Sequence, residues 1–343
     1  MPISTPLTAR LGIQHPILSA PMDFIAGARL TAAVSAAGGF GILGGGYGDR
    51  AWLEQETAKL ADVSDSFGIG FITWSLATQP ALLDIALEAG PRAIMLSFGD
   101  PKPFAQRVKS SGALLICQVQ DEAMARQALD AGADILIAQG TEAGGHGASR
   151  TTLDIVPAIV DLAAGRVPVA AAGGIGDGRG LAAMMMLGAS GVLLGTRFYA
   201  SQECDGADEA KRRICAATGG NSVRGIIFDL SRNNVWPAPF TGRCLINDHA
   251  RRWIGREVEL MQNVNAVATE YAAAKAAGNF DIAAVIAGEA VGLIHDIPRA
   301  AEIVDRIVTE AEQTLLGRRN FVTAVSFPSP LVGEGGADAV RAG

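Results

Sequence analysis

The chain has 343 residues, of which 49% are hydrophobic and 18% are charged. This composition provides a large buried core and excludes an intrinsically disordered chain. The net charge of −7, without any basic block, excludes nonspecific nucleic-acid binding. Glycine is unusually abundant at 42 residues, and its lack of a three-residue period excludes a collagen-like chain.

Neither the N-terminus nor the cysteines indicate export or metal binding. The first residues lack a basic region followed by an apolar core, and no apolar stretch reaches the roughly 18–20 residues of a membrane span. The four cysteines are widely spaced, with no CxxC pair, so neither a zinc site nor a redox dithiol is predicted. We expect a reduced, cytoplasmic protein that contacts no membrane.

Short apolar runs alternate with segments of helical spacing through the first two-thirds of the chain. Continuous apolar runs are typical of parallel strands that are covered on both faces. Eight such runs, each followed by a helix, predict an α/β chain folded as a (β/α)8 TIM barrel, with a doubly wound open sheet as the alternative. The runs are residues 16–20, 39–43, 68–73, 93–97, 114–119, 134–138, 167–172 and 192–195.

The alternation stops after the eighth run. Residues 203–285 are predicted to form a second, mostly helical unit that serves as a lid or substrate domain. An amphipathic pattern at 299–316 predicts a helix that returns to the barrel, so the barrel comprises residues 1–202 and 286–320. Residues 326–343 are rich in Gly, Pro and Ala without periodicity, and a disordered tail is expected there.

Glycine clusters follow several predicted strands, at the end of a barrel where active sites lie. After strands seven and eight, Gly173 and Gly174 can bring backbone amides close to an anion, and Gly195 and Thr196 add an amide and a hydroxyl. A helix starting at Gly178 would add a positive N-terminus. This pattern favours a phosphorylated ligand. The alternative is that these glycines only form tight turns and bind nothing.

His146 is the histidine that lies in a glycine-rich loop at a predicted strand end. Its ordinary pKa suits proton transfer near neutral pH, and Gly144 and Gly145 would let a flat ligand approach the backbone. A surface-loop histidine is the alternative. Glu142 could orient His146 or cap a helix. No second histidine or carboxylate has metal-ligand spacing, so no metal is expected.

Two glutamines end predicted strands five and six. An amide at the end of an apolar strand points toward the barrel mouth, where Gln118 and Gln139 could hydrogen-bond a heterocycle. Simple capping of the strand ends is the equally weighted alternative.

Four motifs in order resemble the nitronate monooxygenases, formerly called 2-nitropropane dioxygenases. They are PILSAPM (16–22), AQGTEAGGHG (138–147), AAGGIGDGRG (171–180) and GTRF (195–198). WPAPFTGR (236–243) and AGEAVGLIHDI (287–297) are also similar to this group. The resemblance covers roughly residues 10–316.

The resemblance implies an FMN-dependent barrel without a metal, in which His146 matches the active-site histidine. Some relatives have Lys at the position of Gln118 and Asp at that of Gln139. These two substitutions change the groups that the resemblance implies at the polar edge of the ring. The implied flavin contacts are made along the ring by Ala20, Pro21 and Met22, at its polar edge by Thr73, Gln118 and Gln139, and at the phosphate by Gly173, Gly174, Gly195 and Thr196.

The implied reaction is the oxidation of alkyl nitronates or nitroalkanes by O2 to carbonyl compounds and nitrite, with His146 as the base. An NAD(P)H-dependent FMN reductase, acting on quinones or enoyl thioesters, is the alternative because it shares the barrel and the histidine loop. A flavin-binding protein without turnover is a third possibility. The expected partners are small molecules and O2, and a homodimer is compatible with the sequence.

Overall fold

A computed structural model describes residues 3–61, 63 and 66–317 of the chain. The tail predicted for residues 326–343 lies outside the described residues. The strands are β1 (Ile17–Ser19), β2 (Gly41–Gly44), β3 (Phe67–Ile72), β4 (Ala93–Ser97), β5 (Leu114–Val119), β6 (Ile135–Gln139), β7 (Gly145–Gly147), β8 (Val169–Ala172), β9 (Gly191–Leu194), β10 (Ser222–Gly225) and β11 (Thr241–Leu245).

Eight parallel strands form a nearly closed barrel. Their order is β1-β9-β8-β6-β5-β4-β3-β2, so consecutive strands of the barrel are neighbours. Strand β1 pairs with β9, where Ile17 lies opposite Val192, and the two ends of the sheet meet where Leu18 bridges to Phe40 just before β2. The (β/α)8 barrel is therefore confirmed, and the open-sheet alternative is wrong.

Helices separate the strands as expected from the apolar spacing. They are α1 (Pro6–Leu11), α2 (Ala28–Ala36), α3 (Arg50–Lys59), α4 (Thr73–Leu76), α5 (Leu82–Glu88), α6 (Lys102–Ser110), α7 (Glu122–Asp130), α8 (Thr152–Ala163), α9 (Gly178–Met186), α10 (Thr196–Tyr199), α11 (Asp208–Ala216), α12 (Ile227–Ser231), α13 (Asp248–Trp253), α14 (Glu257–Gln262), α15 (Val264–Ala276) and α16 (Ala300–Gly317). Single 3-10 turns cover Asp23–Ile25, Gly219–Asn221 and Glu289–Leu293. No helix in the described ranges is long and apolar enough to cross a bilayer.

The barrel strands are buried on both faces, which explains their continuous apolar sequences. In β6, Ile135 and Ile137 face the core inside the barrel, whereas Leu136 and Ala138 face the layer between the sheet and the helices. The returning helix α16 packs against α9, where the Cα of Gly178 lies so close that a Cβ would come within 2.4 Å of the Ile307 carbonyl oxygen.

Residues 203–285 contain five helices, α11 to α15, and also two strands that the sequence did not indicate. Strands β10 and β11 pair antiparallel with each other, and β11 pairs with β7. Their sequences contain glycine and arginine instead of a long apolar run, which hides them from a search for buried strands. This second sheet attaches the loop after β6 to the 203–285 segment, with His146 opposite Gly242.

Candidate active site

A cavity lies at the carboxyl ends of the barrel strands and encloses about 1240 Å³, including its open mouth. Site residues predicted from the sequence line this cavity, and they come from the ends of five different strands. Those that line it are Ala20, Pro21, Met22, Gln118, Gln139, Gly144, Gly145, His146, Gly173, Gly174, Gly195 and Thr196. Thr73 is buried at the end of β3 but is not among the lining residues.

His146 is fixed on two sides by residues of the 203–285 segment. Its Nε2 lies 3.0 and 3.1 Å from the two carboxylate oxygens of Asp229, and both side chains are buried. Its ring stacks on the indole of Trp236, with a centroid separation of 3.4 Å and an interplanar angle of 6°. The imidazole therefore has one orientation relative to the cavity.

The contact with Asp229 also decides which nitrogen of His146 can act as a base. A carboxylate accepts a hydrogen bond, so it favours the tautomer with hydrogen on Nε2 and leaves the lone pair on Nδ1. None of the described residues hydrogen-bonds that Nδ1. Burial lowers the pKa of His146, and Asp229 opposes this effect in part. The imidazole is therefore neutral near pH 7 and able to accept a proton.

The loop that carries His146 is held by side chains. Gln139 Nε2 donates to the carbonyl of His146 at 3.0 Å, and Gln139 Oε1 accepts from Gln120 Nε2 at 2.8 Å. From β10, Arg224 donates to the carbonyls of Thr141 and Ala143 at 2.9 and 2.8 Å. Gln118 and Gln139 both line the cavity, and Gln139 in addition supports the histidine loop.

Glu142 does not orient the histidine, although it is four residues away in sequence. Its Oε2 accepts hydrogen bonds from the backbone N and the Oγ1 of Thr152, at 2.8 and 2.7 Å. These bonds satisfy the start of α8, which was the capping alternative. The spacing of four residues would join the side chains only in a helix, and this segment is a turn that leads into β7.

The glycines after β8 and β9 line the cavity with backbone that carries no side chain. Gly173 and Gly174 have φ of +110° and +71°, which side chains rarely adopt. At Gly195 a Cβ would meet nothing closer than 3.7 Å, so this wall is open. The hydroxyl of Thr196 accepts from the amide of Gly288 at 2.9 Å, which leaves its hydrogen for an anionic oxygen.

The helix N-terminus expected to add to this site is already satisfied by the chain. In α9 the amide of Gly178 donates to Glu310 Oε2 at 2.7 Å, and the amide of Gly180 donates to Asp177 Oδ1 at 3.0 Å. Two carboxylates thus occupy two of the amides at this N-terminus, and Gly178 is not among the residues that line the cavity.

The cavity is also lined by aromatic rings and by the charged groups of Asp23 and Arg232. Tyr47 and Phe98 join Trp236 in lining it, with ring centroids 6.0 and 5.1 Å from that indole. Burial raises the pKa of Asp23 to about 6, although Arg232 acts in the opposite direction. Within the described ranges, no group of three or more His, Cys, Asp or Glu side chains could hold a metal ion.

Sequence reasoning missed Asp229 and Trp236, which contact His146 directly. Trp236 begins the WPAPFTGR motif, so the resemblance contained a signal for it. Asp229 lies in the short helix α12, 83 residues from His146, and has no local pattern that would identify it.

Comparisons with known proteins agree with this geometry. The family model of nitronate monooxygenase matches residues 4–86 and 72–310. A nitronate monooxygenase of Neurospora crassa is 30% identical over 348 residues, covering 87% of this chain and 89% of that protein. A (3aS,4S,5R,7aS)-5-hydroxy-7a-methyl-1-oxo-octahydro-1H-indene-4-carboxyl-CoA dehydrogenase of Mycobacterium tuberculosis is 30% identical over 344 residues, covering 91% and 97%.

A solved structure extends the similarity to three dimensions. FabK from Thermotoga maritima superimposes with a TM-score of 0.83 at 30% identity, covering 93% of this chain and all of that one. The family model spans most of the barrel strands, the histidine loop and the segment that supplies Asp229 and Trp236. The chain belongs to the nitronate monooxygenase family, and it is accordingly an oxidoreductase.

Proposed function

We propose that the protein oxidises alkyl nitronates or nitroalkanes with O2, giving a carbonyl compound and nitrite, with FMN as the cofactor. The single observation that carries this proposal is the buried His146, oriented by Asp229 at 3.0 Å inside the cavity of a nitronate monooxygenase fold. An alkyl nitro compound needs such a base, because its carbon must lose a proton before oxidation.

The residues around the cavity fit FMN. Ala20, Pro21 and Met22 would lie along the ring, and Gln118 would reach its polar edge. The Oγ1 of Thr73 lacks a partner among the described residues, but it lies behind the cavity lining. The phosphate would be held by the backbone of Gly173, Gly174 and Gly195 and by the hydroxyl of Thr196. When bound, FMN supplies the electron transfer and the reaction with O2.

The protein's own part in the reaction is to bind, orient and remove a proton. Nδ1 of His146 accepts the proton from the carbon next to the nitro group. Asp229 then stabilises the imidazolium through the hydrogen bond to Nε2, while Trp236 keeps the ring in place. For a substrate that is already a nitronate this step is absent, and His146 contributes only to positioning.

An NAD(P)H-dependent reductase of quinones or enoyl thioesters is the second candidate. It is favoured by the 30% identity to a protein named as a carboxyl-CoA dehydrogenase. The same His146 could deliver a proton to carbon in that reaction, so the histidine alone does not distinguish the two functions.

Anaerobic mixing of the purified FMN-loaded protein with a nitronate, and separately with NADH or NADPH, distinguishes them. We expect the nitronate alone to bleach the flavin absorbance. Bleaching by NADH or NADPH alone would support the reductase. Bleaching by neither would indicate a flavin-binding protein without either activity.

A further inference from the structure

Tyr47 is a cavity residue to which the proposed mechanism assigns no part. It follows the glycines after β2 and lines the cavity. Its hydroxyl oxygen accepts a hydrogen bond from Trp236 Nε1 at 2.9 Å. A phenol carries one hydrogen in addition to its acceptor lone pairs, so this contact leaves the hydrogen free to be donated. Among the described residues nothing accepts it.

Trp236 connects Tyr47 to the catalytic histidine. The face of its indole lies on His146, and its ring is nearly perpendicular to that of Tyr47, at 89° and a centroid separation of 6.0 Å. One side chain therefore holds both a proton acceptor, His146 Nδ1, and a proton donor, the hydroxyl of Tyr47. Both residues line the same cavity, His146 against the face of the Trp236 indole and Tyr47 at its Nε1.

The electrostatic surroundings keep the hydroxyl of Tyr47 protonated. Burial raises the pKa of Tyr47, and the carboxylates of Asp23 and Asp229 add to this effect, although Arg232 and the bond from Trp236 oppose it. A neutral phenol that lines a cavity is a donor toward a negatively charged oxygen bound there.

We propose that Tyr47 is a second catalytic residue, which donates a hydrogen bond to the oxygen that becomes negative when His146 removes a proton from carbon. The C–H bond breaks and the proton goes to His146 Nδ1. The C–H electron pair forms the C=N bond of the nitronate, and the displaced N=O pair moves onto the oxygen that faces Tyr47. This inference rests on the proposed function and extends it.

The proposal defines a substrate class by its chemistry. The substrate is a carbon acid whose negative charge develops on an oxygen two bonds from the acidic carbon. A nitroalkane meets this condition through its nitro oxygen, and a thioester meets it through its carbonyl oxygen. Tyr47 therefore has the same role in both candidate functions.

Binding of an inert anion tests Tyr47 without any turnover. Isobutyrate resembles propyl-2-nitronate in shape and charge, and its dissociation constant for the FMN-loaded protein can be measured by titration calorimetry. We expect Tyr47→Phe to weaken this binding about tenfold or more, since a hydrogen bond to a charged group is lost. Trp236→Phe removes the indole N–H that donates to Tyr47 but leaves the hydroxyl of Tyr47 in place. This variant should therefore weaken isobutyrate binding less. Equal binding by wild type and Tyr47→Phe would overturn the proposal.

Fluorinated tyrosine gives a second measurement that a merely structural role would not move. The chain has three tyrosines, so all can be replaced biosynthetically by 3,5-difluorotyrosine, which lowers the pKa of a phenol toward neutrality. In labelled wild type, kcat/KM for a nitroalkane should fall at alkaline pH, which adds a new limb to the pH profile. Labelled Tyr47→Phe should lack that limb. A limb that persists in labelled Tyr47→Phe would belong to another tyrosine and contradict the proposal.

The two measurements separate this inference from the proposed function. A protein that oxidises no nitro compound, but whose isobutyrate binding depends on Tyr47, contradicts the proposed function and supports the role of Tyr47. A protein that oxidises nitroalkanes, and whose Tyr47→Phe variant binds isobutyrate as tightly as wild type, supports the function and contradicts the inference.

Discussion

The imidazole of His146 lies flat against the indole of Trp236, with 3.4 Å between ring centroids and 6° between ring planes. Stacking fixes the plane of the imidazole, and the bond to Asp229 fixes its rotation within that plane. An imidazole constrained in both ways presents Nδ1 in one direction only, which is the preorganisation that the proposed proton abstraction requires.

Replacing His146 separates proton removal from the later steps. We expect His146→Asn to retain FMN but to lose kcat/KM for a neutral nitroalkane by about 10²–10⁴-fold, because the general base is lost. Oxidation of the preformed nitronate should fall much less. Oxygen consumption with the two forms of one substrate measures this difference, and unchanged activity on the nitroalkane would exclude the assigned role.

Replacing Asp229 should change the pH dependence as well as the rate. The carboxylate raises the pKa of His146 against the effect of burial, so Asp229→Asn should lower that pKa further. The acidic limb of kcat/KM for a nitroalkane should then move to lower pH, and the plateau should fall because the imidazolium loses its partner.

The matched control for this substitution is Asp248→Asn, on an exposed carboxylate of α13. It should leave both the limb and the plateau unchanged. A limb that moves to higher pH in Asp229→Asn would show that Asp229 does not stabilise the protonated histidine.

The raised pKa of Asp23 predicts that replacing this residue stabilises the folded protein in a pH-dependent way. Its pKa is raised to about 6 by burial, so the folded protein holds this proton more tightly than the unfolded chain and is penalised once the group ionises. This penalty is absent below the unfolded pKa and complete above about pH 6. Asp23→Asn should therefore raise the free energy of unfolding at pH 8 by about 3 kcal/mol, with little gain at pH 4.

The conformation at this position supports the choice of asparagine. Asp23 has φ of +47°, a region that asparagine tolerates well, so the substitution adds no backbone strain. Urea unfolding of the FMN-loaded wild type and variant at both pH values measures the difference. A larger gain at pH 4 than at pH 8 would reverse the expected sign.

The position of the Thr196 hydroxyl predicts that replacing it changes the affinity for FMN more than the affinity for riboflavin. Thr196→Val removes the hydroxyl that could donate to a phosphate, so FMN should bind about tenfold more weakly or worse. Riboflavin has no phosphate, and its affinity should change little. Flavin fluorescence quenching measures both constants, Thr196→Ser is the matched control, and an equal loss for the two flavins would place the phosphate elsewhere.

Much of the fold was predictable because the strands of a parallel barrel have a strong local signal. The bounds of β4 and β5 agree with the apolar runs, since both faces of each strand are buried. The cavity residues were predictable for a related reason, since the barrel brings all strand ends to one face. The strands β10 and β11 were not, because their partners lie far away in sequence.

The partner of His146 shows where sequence reasoning failed. Glu142 was a candidate by proximity along the chain, but it caps α8 instead. Asp229 became the partner only because β11 pairs with β7 and brings the 203–285 segment over the barrel. A contact made by long-range strand pairing produces no hydrophobic periodicity in either segment from which it could be predicted.

The pairing of β7 with β11 also has a consequence for how this protein can be altered. His146 belongs to a strand whose neighbour, aromatic support and carboxylate all come from residues 203–285. A chimera that exchanges this segment with a relative would therefore replace both supports of the histidine at once, whereas most of the cavity lining would still come from the barrel.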